Sequence, residues 1–195
     1  DPIAICQDIT VVLDASGNGS TTAAAVDNGS NDACGIQSLA LSQTAFDCSN
    51  IGANTVTLTV TDNNNNVSTC TATVTVVDSV LPTAICQDVT VVLDASGNGS
   101  TTAAAVDNGS NDACGIASLV LSQTTFDCSD IGANTVTLTV TDVAGNSSTC
   151  NATVTVVDVT PPTAVCQNIS VNLDASGNAT ITPAQIDNGS SDVCT

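Results

Sequence analysis

The 195-residue sequence contains no lysine, arginine, histidine or glutamate, and it has no methionine, tryptophan or tyrosine. All 19 acidic residues are aspartates, so the formal net charge is -19. Salt bridges between side chains are therefore excluded, and a crowded carboxylate depends on N–H groups, on amide and hydroxyl side chains, or on a cation from solution. The same charge excludes nucleic acids and anionic membrane surfaces as partners, because both would be repelled.

The missing residue types also exclude most kinds of catalytic site. General acid–base catalysis near neutral pH uses His, Glu, Lys, Tyr or Cys, and of these only Cys is present. A Ser-His-Asp triad cannot be built without histidine. The stretch DASG at 14–17 lacks the Asp-Thr-Gly pattern of an aspartic dyad and recurs as a turn. We therefore predict that the protein is not an enzyme.

What is present indicates a folded β protein. The mean hydropathy is +0.30, and β-branched residues recur in phased runs, which a disordered acidic tail would not show. No apolar run approaches the roughly 20 residues that span a bilayer, so we predict no membrane insertion by this segment. No signal peptide is recognisable, and the chain opens in the middle of a repeat.

A repeat of 80 residues dominates the sequence. Residues 1–80 and 81–160 are identical at 66 of 80 positions, and a third copy runs from Pro161 to Thr195. Self-similarity at a fixed period is the signature of a repeat architecture. The predicted domains are residues 1–79, residues 80–159, and the incomplete third copy at 160–195.

Within each copy the apolar residues alternate with a period of two, as in half-buried strands. In NTVTLTVTD at 54–62, Val56, Leu58 and Val60 share one face, and STCTATVTVVD at 68–78 repeats the pattern across a turn. We predict that these two stretches form a hairpin and that VTVVLD and GSTTAAAV form another. TTAAAV is too short and too close to glycine for a helix. The copies are therefore predicted to be antiparallel β-sandwiches of six or seven short strands.

Proline-bearing linkers join the copies. They read VVDSVLPTA and VVDVTPPTA, and contain no glycine, which makes them short and stiff. We expect a linear, semi-rigid array with Asp78 and Asp158 at its seams.

The ten cysteines predict a disulfide framework and an oxidising compartment. Their spacing repeats with the copies, and they are Cys6, Cys34, Cys48, Cys70, Cys86, Cys114, Cys128, Cys150, Cys166 and Cys194. We favour a bond between Cys6 and Cys34 at one end of a hairpin, which leaves Cys48 for Cys70. Links between copies, such as Cys70 with Cys86, stay open. Zinc is not favoured, because there is no C-x-x-C motif and no histidine.

The loop DNGSND at 27–32 is the candidate metal site. Calcium prefers six to eight oxygen ligands, and the loop offers carboxylate and amide oxygens around a turn at Gly29. The alternative is an Asx-rich turn whose side chains bind their own backbone. Asp8, Asp78 and their copies rank second. The candidate Ca²⁺ ligands are Asp27, Asn28, Asn31, Asp32, Asp107, Asn108, Asn111, Asp112, Asp187, Asn188 and Asp192.

The sequence resembles the hyalin-repeat (HYR-like) and PKD-like immunoglobulin-fold modules of giant secreted surface proteins of Bacteroidetes, including gliding adhesins. The most specific stretch is IGANTVTLTVTDVAGN, in which Gly132, Asp142, Gly145 and Asn146 match the family pattern. Asn65 stands at the position of Gly145 in the first copy, which allows that turn to differ. The resemblance implies immunoglobulin-like sandwiches outside the cell, at its surface or in a secreted filament.

Three functions are compatible with these observations. The first is an extracellular stalk or fibre segment of a bacterial adhesin, held by disulfides and stiffened by Ca²⁺. The second is a filament subunit that completes its strands with those of a neighbouring copy. The third is a threonine-rich surface that binds ice or carbohydrate, although threonine is an ordinary residue of solvated strands. The expected partners are neighbouring repeats, copies of the chain itself, and surface glycans.

Overall fold

A computed structural model describes residues 1–194 of the chain, and Thr195 lies outside the described residues. The fold is all-β, as predicted, and its strands form β-sandwich domains. In the first copy the strands are β1 (Ile9–Val12), β2 (Asn18–Ser20), β3 (Ile36–Leu41), β4 (Ala45–Asp47), β5 (Gly52–Asp62) and β6 (Val67–Val77).

The second copy repeats these elements in the same order. Its strands are β7 (Val89–Val92), β8 (Asn98–Ser100), β9 (Ile116–Leu121), β10 (Thr125–Asp127), β11 (Gly132–Asp142) and β12 (Ser147–Val157). Each copy has a one-turn α-helix; these are α1 (Ala23–Val26), α2 (Ala103–Val106) and α3 (Pro183–Ile186). A 3-10 helix follows the fourth strand of each of the first two copies, at Cys48–Asn50 and Cys128–Asp130.

The long hairpin of β5 and β6 is confirmed. The two strands pair antiparallel from Gly52 opposite Val76 to Thr61 opposite Val67. Their inward side chains are buried, and Phe46 closes the core from β4. The inward residues of the hairpin are Val56, Leu58, Val60, Ala72, Val74 and Val76. Alternation with a period of two was therefore sufficient to identify the central part of the sandwich.

The predicted second hairpin is wrong, because β1 and β2 pair with different partners. β1 lies parallel to β6, with Ile9 opposite Val74, at the edge of a four-stranded sheet of order β1-β6-β5-β3. β2 pairs antiparallel with β4 instead, in a separate two-stranded sheet. The sandwich is thus mixed rather than purely antiparallel. Burial of Val11 and Leu13 in the common core favours this position for β1.

TTAAAV forms a helical turn, contrary to the prediction. Thr22 is the N-cap of α1, and its side-chain oxygen accepts a hydrogen bond from the N–H of Ala25 at 3.3 Å. Alanine has the best helix propensity, and a threonine N-cap supplies a partner for an otherwise free N–H. Val26 at the end of the turn is fully buried, which fixes the helix to the core.

The turns between the two long strands share a main-chain hydrogen bond in both copies. Asn65 has φ of 67° and Gly145 has φ of 93°, so both occupy the left-handed region. Asparagine tolerates this region better than most residues with a side chain. The N–H of each donates to the main-chain oxygen of the aspartate three residues earlier, at 3.0 Å and 3.2 Å.

The described chain divides into two compact units. The first contains Asp1–Ala84 together with Gly109–Leu119 and Thr139–Thr149 of the second copy. The second contains Ile85–Asn108, Val120–Leu138 and the residues from Cys150 onward.

The described residues of the third copy form no β-strand. Two isolated bridges, Thr163 with Ser191 and Cys166 with Asp187, hold this segment together. Leu173 is 68% exposed here, whereas the equivalent Leu13 is 3% exposed.

Candidate functional site

The cysteines pair at longer range than predicted. Within single copies Cys6 bonds to Cys70 and Cys86 to Cys150. Between consecutive copies Cys48 bonds to Cys114 and Cys128 to Cys194. The predicted pairs Cys6–Cys34 and Cys48–Cys70 are therefore wrong, and Cys34 and Cys166 are exposed free thiols.

The parallel pairing of β1 explains the first of these errors. The register places Ile9 opposite Val74, and continuing it towards the N-terminus brings Cys6 beside the residues around Cys70. Their Cα atoms are 5.8 Å apart, an ordinary spacing for a disulfide. The hairpin assumed from the sequence would have directed Cys6 towards Cys34 instead.

The bond between consecutive copies lies against a glycine. Gly17 has φ of +75°, and a Cβ atom added there would lie 2.5 Å from the sulfur of Cys48 and 3.4 Å from the Cβ of Ala113. Gly97 repeats the arrangement, with its added Cβ 2.7 Å from the sulfur of Cys128. The turn of DASGN therefore provides the space that this disulfide occupies.

The loop at 27–32 forms two Asx turns. The Asp27 carboxylate accepts hydrogen bonds from the N–H groups of Gly29 (3.3 Å) and Ser30 (3.1 Å), and that of Asp32 accepts one from Cys34 (2.8 Å). Burial raises the pKa of Asp27, but hydrogen bonds from Ser30 and Gly29 outweigh it and hold that pKa below its usual value. These contacts are those of the alternative, turn-forming interpretation of the loop.

The main chain of the same loop is anchored to the N-terminal segment. Ile3 and Asn31 exchange two backbone hydrogen bonds of 2.8 and 3.0 Å, and the N–H of Asn28 donates to the oxygen of Ile5. The side-chain amide of Asn31 donates to the oxygen of Gly29 at 3.2 Å. Calcium binding by one such loop alone stays a prediction, since the contacts described here are internal to the chain.

A different group of carboxylates meets at the seam between the first two copies, inside the first compact unit. One ligand atom each from Asp78, Asp112 and Cys114 lies within 4.8 Å of the others. Among residues 1–194 this is the one group of three carboxylate or thiol ligands at such a spacing. The sulfur of Cys114 is bonded to Cys48, which leaves the two carboxylates as ligands.

The Asp78 carboxylate is buried, with 6% of the residue exposed. Its Oδ1 accepts a hydrogen bond from the N–H of Val80 at 3.0 Å, whereas Oδ2 has no hydrogen-bond partner among the described residues. Asp112 Oδ1 accepts from the N–H of Cys114 at 2.7 Å. From the sequence Asp78 is a second-rank candidate ligand, and no local pattern indicates that it meets Asp112.

The turn between β11 and β12 fixes the main chain of this seam. The side-chain amide of Asn146 donates to the main-chain oxygens of Asp78 and Val80, both at 3.2 Å, and to the carboxylate of Asp142 at 3.0 Å. Asp142 is 1% exposed and also accepts from the N–H of Asn146. The spacing Asp-x-x-x-Asn, present in both turns, is the sequence signal for the bond between amide and carboxylate, which Asn66 and Asp62 repeat at 2.8 Å in the first copy.

Comparison with known proteins gives a likeness in structure only. The extracellular domain of protocadherin gamma B4 matches with a TM-score of 0.40 and 15% identity, over 86% of this chain and 34% of that one. Extracellular cadherin domains 1–5 of protocadherin gamma B2 match with a TM-score of 0.40 and 14% identity, over 88% and 43%. Domains EC1-2 of human mucin-like protocadherin match with a TM-score of 0.37 and 13% identity, over 82% and 99%.

The chain thus spans about a third of the first of these structures. No protein-family model and no curated protein sequence matches it.

The four disulfides indicate where the protein works. Structural disulfides form and persist in oxidising surroundings, and the cytosol keeps thiols reduced. The protein is therefore extracellular, either secreted or exposed at a surface. None of the helices among residues 1–194 has the length and apolar character needed to cross a membrane.

Proposed function

We propose that this chain is a stalk segment of an extracellular adhesin, in which covalent bonds between consecutive repeats limit bending at the seams. The observation that carries the proposal is the pair of disulfides Cys48–Cys114 and Cys128–Cys194, each of which joins one 80-residue copy to the next. A disulfide inside one copy stabilises that copy alone. A disulfide across the seam also restricts how the two copies move against each other.

Composition supports the same role. A single-sign charge of -19 keeps neighbouring chains apart in solution and gives no attraction to nucleic acid or anionic lipid. Near-identical copies with stiff linkers suit a spacer, and we propose seams close to residues 79 and 159. The resemblance to repeats of Bacteroidetes surface proteins suggests that the stalk holds an adhesive region away from the cell.

We also propose Ca²⁺ as a second stiffening agent. The chain has no cationic side chain to neutralise its carboxylates, and hard divalent cations are bound by carboxylate and carbonyl oxygens. The position of the ion is a separate question from the role of the disulfides.

Small-angle X-ray scattering of the full oxidised chain in EGTA tests the stalk. Replacing the seam bond with Cys48→Ser and Cys114→Ser should broaden the distribution of interatomic distances and raise the high-angle Kratky curve, because the first seam becomes flexible. The matched control, Cys34→Ser with Cys166→Ser, removes two exposed thiols that form no bond. It should leave the scattering unchanged.

Equal scattering from the seam variant and the control would contradict the proposed role of the disulfide. Circular dichroism, together with an intact Cys6–Cys70 bond by mass spectrometry, must first show that the seam variant is folded.

A further inference from the structure

We propose that Asp78 and Asp112 together bind one divalent cation at the first seam, so that the ion bridges two consecutive repeats. The metal is thereby assigned to a pair of side chains from different copies rather than to one DNGSND loop. Its stiffening role rests on the proposed stalk function, but the binding itself does not.

The unpartnered oxygen of Asp78 indicates that this carboxylate binds a ligand. Oδ2 is buried and accepts no hydrogen bond among the described residues, in a residue that is 6% exposed. Buried carboxylate oxygens are normally satisfied by donors, by water or by metal, because removing a charge from water is costly. The chain has no lysine, arginine or histidine that could reach this oxygen.

The second carboxylate lies at a suitable distance. The ligand oxygens of Asp78 and Asp112 are within 4.8 Å of each other. Two oxygens bound to the same Ca²⁺, at about 2.3 to 2.6 Å each, are at most about 5 Å apart. Without a cation the two negative charges repel each other in a partly buried place, and with a cation between them they are neutralised.

The surroundings hold both carboxylates in position. Val80 fixes Asp78 through its N–H, and Asn146 binds the main-chain oxygens on either side of Ser79. Asp112 is held by the N–H of Cys114, whose sulfur is bonded to Cys48 of the preceding copy. A site that is preorganised in this way loses little conformational entropy when an ion binds.

The chain contains its own matched controls. Asp32 occupies the position of Asp112 in an identical DNGSNDACG loop, and it also accepts a hydrogen bond from the following cysteine. No copy precedes it among residues 1–194 to supply an equivalent of Asp78. Asp158 is the equivalent of Asp78 at the next seam, where Asp158, Asp192 and Cys194 do not form a group within 4.8 Å.

Isothermal titration of the oxidised full chain with CaCl₂ at physiological ionic strength tests the site, with thermal unfolding in Ca²⁺ and in EGTA as a second readout. We expect one saturable site per chain, which Asp78→Asn and Asp112→Asn each weaken at least tenfold and which Asp32→Asn and Asp158→Asn retain. Asp78→Asn should also raise the unfolding midpoint in EGTA above that of the wild type, because it removes the repulsion.

Three results would overturn the proposal: a wild-type chain without saturable binding, binding that survives Asp78→Asn, or equal loss of binding in Asp32→Asn. The EGTA midpoint shows whether each variant has folded. Because the scattering experiment on the seam disulfide is done in EGTA, it can succeed while the ion site fails, or fail while the ion site is real.

Discussion

At the scale of single residues, aspartate is the only charged side chain. Its carboxylates accept hydrogen bonds from the backbone N–H groups that follow them in the sequence. Asp94 accepts from the N–H groups of Ser96 at 2.8 Å and Asn98 at 3.0 Å. Asp62 accepts from the N–H groups of Asn64 and Asn66, and from the Asn66 amide. Such bonds favour the charged carboxylate, and each stabilises a turn without a partner of opposite charge.

These bonds predict a loss of stability in acid. Hydrogen bonds from the Asn66 side chain and from the backbone of the turn hold the pKa of Asp62 below its usual value, despite the opposing effect of burial. Five further aspartates have a pKa lowered by hydrogen bonds, from serine side chains or from backbone N–H groups; they are Asp47, Asp94, Asp127, Asp174 and Asp187. A lowered folded pKa contributes stability that is complete above the unfolded pKa and is lost as the pH falls through the folded pKa.

The unfolding midpoint, measured in about 0.5 M salt to screen the net charge, should therefore stay level from about pH 8 to pH 5 and fall below about pH 4. Calorimetry of the oxidised chain measures this. A midpoint that rises on acidification in high salt would show that these hydrogen bonds do not favour the charged carboxylates.

At the scale of elements, the sequence predicts the strands whose formation depends on local periodicity. The alternation in 54–62 and 68–78 identified β5 and β6, because two-residue spacing and an asparagine-rich turn are local properties. The partner of β1 is not local. The four residues of β1, three of which are apolar, are compatible with either sheet. Burial of Val11 against the core selects the parallel position beside β6.

The same distinction between local and non-local features applies to the candidate site. The composition of the loop at 27–32 is a local feature, and it predicts either a Ca²⁺ site or the Asx-rich turn that the structure contains. The meeting of Asp78 with Asp112 and the bond of Cys48 to Cys114 depend on how one copy docks on the next. A single sequence carries no direct signal for such contacts.

Gly17→Ala tests the fit of the turn against the seam disulfide. The added Cβ would lie 2.5 Å from the Cys48 sulfur, so we expect a lower yield of the Cys48–Cys114 bond and a reduced unfolding midpoint. Gly177→Ala is the matched control. It has φ of +79° at the equivalent position of the third copy, but nothing lies within 4 Å of its added Cβ.

The backbone cost of a left-handed alanine, on the order of 1 kcal/mol, is common to both variants. The difference between them therefore reports the contact with the disulfide. Peptide mapping without reduction gives the yield of the bond in each, and equal yields would show that the seam adapts to the extra methyl group.

At the scale of the whole molecule, the four disulfides form overlapping covalent loops. They span residues 6–70, 48–114, 86–150 and 128–194, so each loop shares part of the chain with the next. The linker between Cys70 and Cys86 is enclosed by one loop alone, that of Cys48–Cys114. The seam bond thus covers the stretch that the disulfides within single copies leave outside.

This overlap makes the integrity of the protein independent of any single peptide bond between Cys6 and Cys194. Trypsin cannot cut the natural chain, which has no lysine or arginine, so an introduced arginine provides one defined nick. After cleavage at Ser79→Arg, the oxidised protein should migrate as one species in denaturing gel electrophoresis. It should separate into two fragments only on reduction. With Cys48→Ser and Cys114→Ser added, the fragments should separate without reductant.

The same nick moved into the turn at Asn64→Arg lies inside the Cys6–Cys70 loop as well. Its halves should therefore stay joined even in the absence of the seam bond, and their separation would contradict the pairing of Cys6 with Cys70. An extracellular protein with overlapping disulfide loops survives a proteolytic cut in a linker as a damaged but undivided molecule.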